Sequence, residues 1–348
     1  MNYNFFKYNN HRVTSIPNGD IELILKPMET RLSALPLVAE GKILLAYGNK
    51  KVVLKDSITN NTLWSITLPY VMRDSLIHGE QIFLSNNTSL FVLDFKTGAI
   101  TAKEDNCNPN LINAVVYDKY IIWPTFIDNI NQAIIFDTAE RKISGNYTLP
   151  GIASFMLLDD DNIIYNTYPD KIYSQKAITG EKNWDQVITQ KNPAEEFVND
   201  YPFIINNSVY LTLFPHTVKS YDLITGALNW EFSSGTGINS FLANFCNNNE
   251  IALFSGNTIF HLDSKNGNLI KKTELGGALG ISSGAYQLSF IDSENAVFYS
   301  YTLQNIIVID IITLKESKKF SLKKGVKHPP FIANNKLFVL DKDGNLYY

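Results

Sequence analysis

The chain has 348 residues, 45% hydrophobic and 18% charged, an ordinary globular balance that excludes a largely disordered protein. Thirty basic against 34 acidic side chains leave a formal net charge of -4, which argues against a chain built to grip nucleic acid or an anionic membrane. No apolar run approaches the roughly 18 residues of a membrane span, and 18 Tyr, 21 Phe and 4 Trp favour strands.

At the N-terminus, "MNYNFFKYNNHRVTS" has neither an apolar stretch nor a small-residue cleavage site, so no secretory signal is expected. Cys107 and Cys246 stand far apart and read as buried thiols of a reducing compartment, which makes the expected localisation cytoplasmic. Residues 1–30 form an N-terminal segment in which "DIELILKP", residues 20–27, is a strand candidate; residues 31–348 carry repeats.

The repeat is an Asp, a Thr three residues on, then Gly, and an aromatic eight residues after the Asp. "LKDSITNNTLW" supplies Asp56, Thr59, Asn60 and Trp64, and "VLDFKTGAITA" supplies Asp94, Thr97 and Gly98 with Ala102 in the Trp place. "IFDTAERKISG" keeps Asp137 alone, and "QKAITGEKNW" keeps Thr179, Gly180 and Trp184. Asp222, Thr225, Gly226 and Trp230 follow, then Asp263, Asn266 and Gly267, and finally Asp310 with Thr313. Between these copies fall polar turns around Gly41, Gly79, Asp118, Asp161, Asn207, Asn248, Glu294 and Asn335, each flanked by apolar runs.

Together the two signals define a unit of about 42 residues with four short antiparallel strands, the pattern of a β-propeller blade. The last unit, "FIANNKLFVLDKDGNLYY", stops after three strands, so residues 20–27 are expected to supply its fourth and close the ring. The expected fold is therefore all-β: one domain, residues 1–348, forming an eight-bladed β-propeller of four-stranded antiparallel blades, with seven blades as the alternative. Gly98, Gly180, Gly226 and Gly267 are expected at φ > 0 in the second hairpin turn of their blades. Asp56, Asp94, Asp222 and Asp263 are expected to accept backbone N–H bonds there. Trp64, Trp184 and Trp230 are expected to pack between neighbouring blades; Trp123 stands outside the pattern.

The pattern in "FVLDFKTGAI" and "SYDLITGALNW" resembles the pyrroloquinoline-quinone-like (PQQ-like) propeller repeat, over almost the whole chain from about Leu35. That family includes exported quinone-dependent dehydrogenases and non-catalytic scaffolds. This chain is shorter than the dehydrogenases and lacks their adjacent Cys pair, so the resemblance implies the scaffold branch and carries no cofactor residue to any position here.

A search for chemistry agrees. His11, His78, His216, His261 and His328 never form a close pair, and the acidic stretches at Asp159–Asn162 and Asp341–Asn345 coincide with repeat turns. No nucleophile elbow, phosphate loop or H-E-x-x-H occurs. The expectation is no enzyme activity, no cofactor and no metal; the alternative is a propeller enzyme or carbohydrate-binding protein with its site in the central channel. "GGALGISSG" reads as an inter-blade loop, and the lysines from Lys315 to Lys327 as a solvated edge.

Recognition on a rigid scaffold sits in enlarged loops. Here these are "WPTFIDNINQ", "YNTYPDK", "LFPHTVK", "YSYTLQN" and the acidic residues 185–200. The candidate partner-binding residues are Trp123, Phe126, Tyr168, Phe214, His216 and Tyr301, with Glu195 and Glu196 adding electrostatic selection. The expected function is a non-catalytic protein-binding scaffold, monomeric on its own, with another protein as partner and neither nucleic acid nor membrane. Asn, Ile and Lys richness hints at an AT-rich bacterial genome. The specific role expected from class is a cytoplasmic immunity protein that neutralises a cognate bacterial toxin.

Overall fold

The computed structural model describes residues 27–29, 32–34, 36–167, 171–189, 195–198, 202–235, 240–244, 249–276, 279–291, 295–300, 303–326, 330–333 and 336–347. Among these, eight antiparallel sheets follow the repeat, as expected for eight blades and not seven. Most of the chain divides into two compact units, Glu29–Asp185 and Gln186–Tyr348.

In the first unit each sheet is a meander whose strands pair in sequence order. Its first sheet comprises Leu37–Ala39, Lys42–Ala46, Lys51–Asp56 and Thr62–Thr67, and its second Asp74–His78, Gln81–Ser85, Leu90–Asp94 and Ile100–Glu104. Val115–Tyr117, Tyr120–Ile127, Ile130–Asp137 and Lys142–Thr148 make the third, and the fourth runs from Ala153–Asp159 to Lys182–Val187. The middle strands are buried on both faces, which is why "KILLA" and "QIFLS" read as continuous apolar runs. Outer strands such as Thr62–Thr67 are covered on one face only and alternate. Apolar clusters fill the space between consecutive sheets. Leu44 and Leu54 meet Ile82 and Phe91, Phe83 meets Phe136 edge-on at 5.7 Å, and Ile135 meets Ile163 and Tyr165.

In the second unit the first sheet has five strands. Phe197–Val198 and Phe203–Ile205 both pair with Ser208–Phe214, so its inner strand is split in two; Thr217–Asp222 and Leu228–Ser233 complete it. Two four-stranded sheets follow, from Ser240–Asn244 to Leu269–Glu274 and from Gln287–Ile291 to Lys315–Ser321. The last combines Phe331–Ala333, Lys336–Leu340 and Leu346–Tyr347 with Pro27–Glu29. Apart from Pro27, the strand expected at residues 20–27 lies outside the described residues. Clusters around Tyr210 and Phe260, around Phe254 and Phe298, and around Val308 and Val339 join the consecutive sheets.

The second hairpin of each blade follows the turn chemistry expected of it. Asp94 Oδ1 accepts from the Thr97 N–H at 2.8 Å and the Thr97 hydroxyl at 2.7 Å, and Asp222 repeats this with Thr225 at 2.7 and 2.8 Å. Asp263 accepts from the N–H groups of Lys265 and Asn266. In the first seven sheets the residue at the glycine position of this turn has positive φ, including Asn60, Arg141 and Leu314, where the sequence offers no glycine; in the last sheet Gly344, three residues after Asp341, takes that role.

Glycine meets a second demand at three of these turns. A Cβ on Gly98 would lie 2.7 Å from the Trp64 ring, and one on Gly267 would lie 2.5 Å from the Trp230 ring. Each indole belongs to the preceding blade and donates its N–H into the turn, Trp64 to the Phe95 carbonyl at 3.0 Å and Trp230 to that of Ser264 at 3.2 Å. Tyr147 takes the same place against Gly180 and donates to the Ala177 carbonyl at 3.2 Å. Trp64 and Trp230 thus pack between blades as expected, Trp184 is buried, and a tyrosine outside the eight-residue spacing, Tyr147, takes the same place.

Candidate functional site

In a four-stranded meander the turn between the second and third strands and the connection to the next blade lie at the same end. At that end of the first unit, loops from three consecutive blades line a cleft of about 320 Å³. Its walls include Arg73 and Asp74, Asn86 and Asn87, the run Asn108–Pro109–Asn110, Pro124 to Phe126 with Asn131, and Ile152.

Local hydrogen bonds set the orientation of its amides. Asn86 Oδ1 accepts from the N–H groups of Thr88 and Ser89 at 2.8 and 2.7 Å, an Asx turn that leaves its NH₂ without a hydrogen bond among the described residues. Asn110 Oδ1 accepts from the Asn113 N–H at 3.4 Å and caps a single 3₁₀ turn, Leu111–Asn113. Asn108, at φ 41°, donates from Nδ2 to the Phe126 carbonyl at 3.3 Å, and its own carbonyl accepts from the Thr125 hydroxyl at 3.0 Å. Backbone N–H groups only donate and carbonyls only accept, so these contacts fix which end of each amide is free. Asn86 and Asn110 keep donors and Asn108 keeps an acceptor.

The strand that carries Phe126 is anchored in the apolar core. Trp123 is fully buried, packs with Leu111, Ile121 and Phe136, and donates its indole N–H to the Cys107 carbonyl at 3.4 Å. Burial pushes the Cys107 thiol up to about 11, so it is an inert packing group. At the edge, the Ser89 hydroxyl donates to Asp105 at 2.7 Å, and the Lys103 ammonium 2.6 Å away is the main reason the Asp105 carboxyl is held below the usual range.

The sequence-derived contact residues fare unevenly. Phe126 is 51% exposed and lines the cleft. Trp123 is not available to a partner: it sits three residues from Phe126 on the same strand, and an odd offset places the two on opposite faces. Phe214 is half-buried and stacks on Phe197 at 4.9 Å, and His216 is half-buried with its carbonyl accepting from the Ser234 N–H. Glu195 is exposed, but Glu196 is not the surface acid expected, because it is 3% exposed and accepts from the Thr189 hydroxyl. Tyr168 and Tyr301 lie outside the described residues. Arg73, the asparagines and Ile152 were not anticipated, because "SNNTS" and "NPN" read equally well as turn formers. Among the described residues, no group of three His, Cys, Asp or Glu side chains is placed to hold a metal ion.

No family model and no curated protein matches the sequence. Solved structures do match it. BamB from Moraxella catarrhalis superposes with a TM-score of 0.70 at 12% identity, covering 93% of this chain and 97% of that one. The computationally designed Ika8 protein gives 0.70 at 13% identity, covering 93% and 97%. A europium-containing methanol dehydrogenase gives 0.66 at 11% identity, covering 100% and 90%. At such identities the likeness shows the fold: this chain is an all-β protein with the eight-sheet β-propeller architecture of BamB.

Proposed function

We propose that the protein is a non-catalytic protein-binding propeller and that its partner seats on the cleft of the first unit. The observation that carries this reading is the pairing of exposed apolar groups, Phe126 at 51% and Ile152 at 61%, with amides whose NH₂ ends make no hydrogen bond among the described residues. An aromatic anchor ringed by polar groups is the usual make-up of an interface centre. The fold does not decide between binding and catalysis, since the same architecture occurs in a methanol dehydrogenase. The specific form of the proposal is a cytoplasmic immunity protein whose partner is a cognate bacterial toxin.

The test is affinity capture of the tagged full chain from its native host, beside a Phe126→Asp/Ile152→Asp double variant. Both positions are exposed, so the variant is expected to unfold at the wild-type temperature and to lose the captured protein. Capture at undiminished yield by a folded variant would refute the proposal.

A further inference from the structure

The cleft's polar groups are unequal in kind, and that inequality specifies a ligand. Asn86 and Asn110 line the cleft with their oxygens occupied by backbone N–H groups, so each keeps an NH₂ donor that has no hydrogen bond among the described residues. The Arg73 side chain is exposed and forms no ion pair among the described residues. Asn87 and Asn131 make no side-chain hydrogen bond among the described residues. On the acceptor side stand Asn108 Oδ1 and Asp74, and Asp74 already has a partner. Donors therefore predominate, and one of them carries a fixed positive charge.

We infer that the cleft takes an extended peptide segment of the partner that presents an acidic side chain to Arg73 and a large apolar side chain to Phe126 and Ile152. This rests on the protein-binding reading above and gives its chemistry. A carboxylate meets the unpaired guanidinium through charge-assisted bonds, and the carbonyls of an extended backbone meet the amide donors. The exposed Phe126 ring and the branched Ile152 offer an apolar surface that suits a Leu, Ile or Phe side chain better than a hydroxylated sugar ring. At about 320 Å³ the cleft lies at the small end of ligand sites, near the roughly 300 Å³ lower bound, which suits two or three residues of a segment lying across it.

The probe is a phage-displayed library of random twelve-residue peptides selected on the full-length protein, with enriched sequences remade and titrated by fluorescence anisotropy. The expected result is a motif with Asp or Glu beside a large apolar residue. Arg73→Ala and the Asp→Asn or Glu→Gln change in the peptide should each weaken binding about tenfold. Combined, they should weaken it little further, because both break one pair. Phe126→Ala should weaken binding independently of the acidic residue. Enriched peptides without an acidic residue, Arg73→Ala binding at wild-type strength, no enrichment dependent on the cleft, or tighter binding of an oligogalacturonate than of any selected peptide would each overturn the inference. Peptides that bind through Phe126 but ignore Arg73 would overturn this chemistry while leaving the protein-binding reading intact.

Discussion

The two ends of the blades in the first unit use the same residue types for opposite purposes. At the Asp-Thr-Gly turns, Asp94 spends one oxygen on three donors, and the Trp64 indole closes over Gly98 and bonds into the turn. At the cleft end, Asn86 spends only its oxygen on the loop and keeps its NH₂ group, and Phe126 leaves half its surface in water. The contrast separates a structural turn from the proposed partner site. Both ends expose apolar side chains, Ile58 at a recurring turn and Phe126 and Ile152 at the cleft; what sets the cleft loops apart is amide NH₂ groups that make no hydrogen bond among the described residues.

The largest effect that could break this contrast is at Trp123, which lies under the cleft but belongs to the core. Trp123→Ala should cost about 3–5 kcal/mol in chemical denaturation; a folded variant of wild-type stability would mean that Trp123 is not a core residue.

Next in size is the contact between blades. Gly98→Ala or Gly267→Ala sets a Cβ within 2.7 Å of an indole at a φ above +70° and should cost about 2–4 kcal/mol by thermal unfolding. Gly41 has a similar φ but open space around its Cβ, so Gly41→Ala should cost only about 1 kcal/mol. Equal losses would show that the indole packing contributes nothing.

Leu314 sharpens the same point from the other side. It holds the glycine position at φ 54°, so Leu314→Gly should raise stability by about 0.5–1 kcal/mol, read as a shifted denaturation midpoint.

A pH series separates the turns from the core. The carboxyls of Asp56, Asp222 and Asp310 are held below the usual range first by the backbone N–H groups of Thr59, Thr225 and Thr313, and that of Asp94 first by the Thr97 hydroxyl. A depressed carboxyl stabilises the fold above its ordinary pKa, and that stability is lost as pH falls through the folded value. His261 acts at higher pH. Burial lowers it from 6.5 to about 4, so the unfolded chain takes up the proton first and stability falls between those values on acidification. Denaturation midpoints measured from pH 8 to pH 3 should therefore drop in two stages. Burial lowers His78 as well, so His261→Gln should shrink the upper stage, and Asp222→Asn should shrink the lower one.

The smallest effect on stability belongs to the cleft. Arg73→Ala and Phe126→Ala should leave stability within about 0.5 kcal/mol of wild type; a larger loss would place them with the structural turns.

What the sequence determined by itself was the blade. A period of about 42 residues, the Asp-Thr-Gly turn and the tryptophan eight residues on are local patterns, and turn geometry and strand alternation are local physics. The strand alternation also carried the clue that Trp123 and Phe126 face opposite ways, since the period of two is legible without coordinates. Only the tertiary structure decided which face was covered. It alone assigned Tyr147 to the tryptophan role, buried Glu196 against Thr189, and gathered Arg73, Asn86, Asn110 and Ile152 around one opening. Those residues are up to about 80 positions apart in the chain, and what a side chain can reach is set by which loops the packed blades bring to the same end.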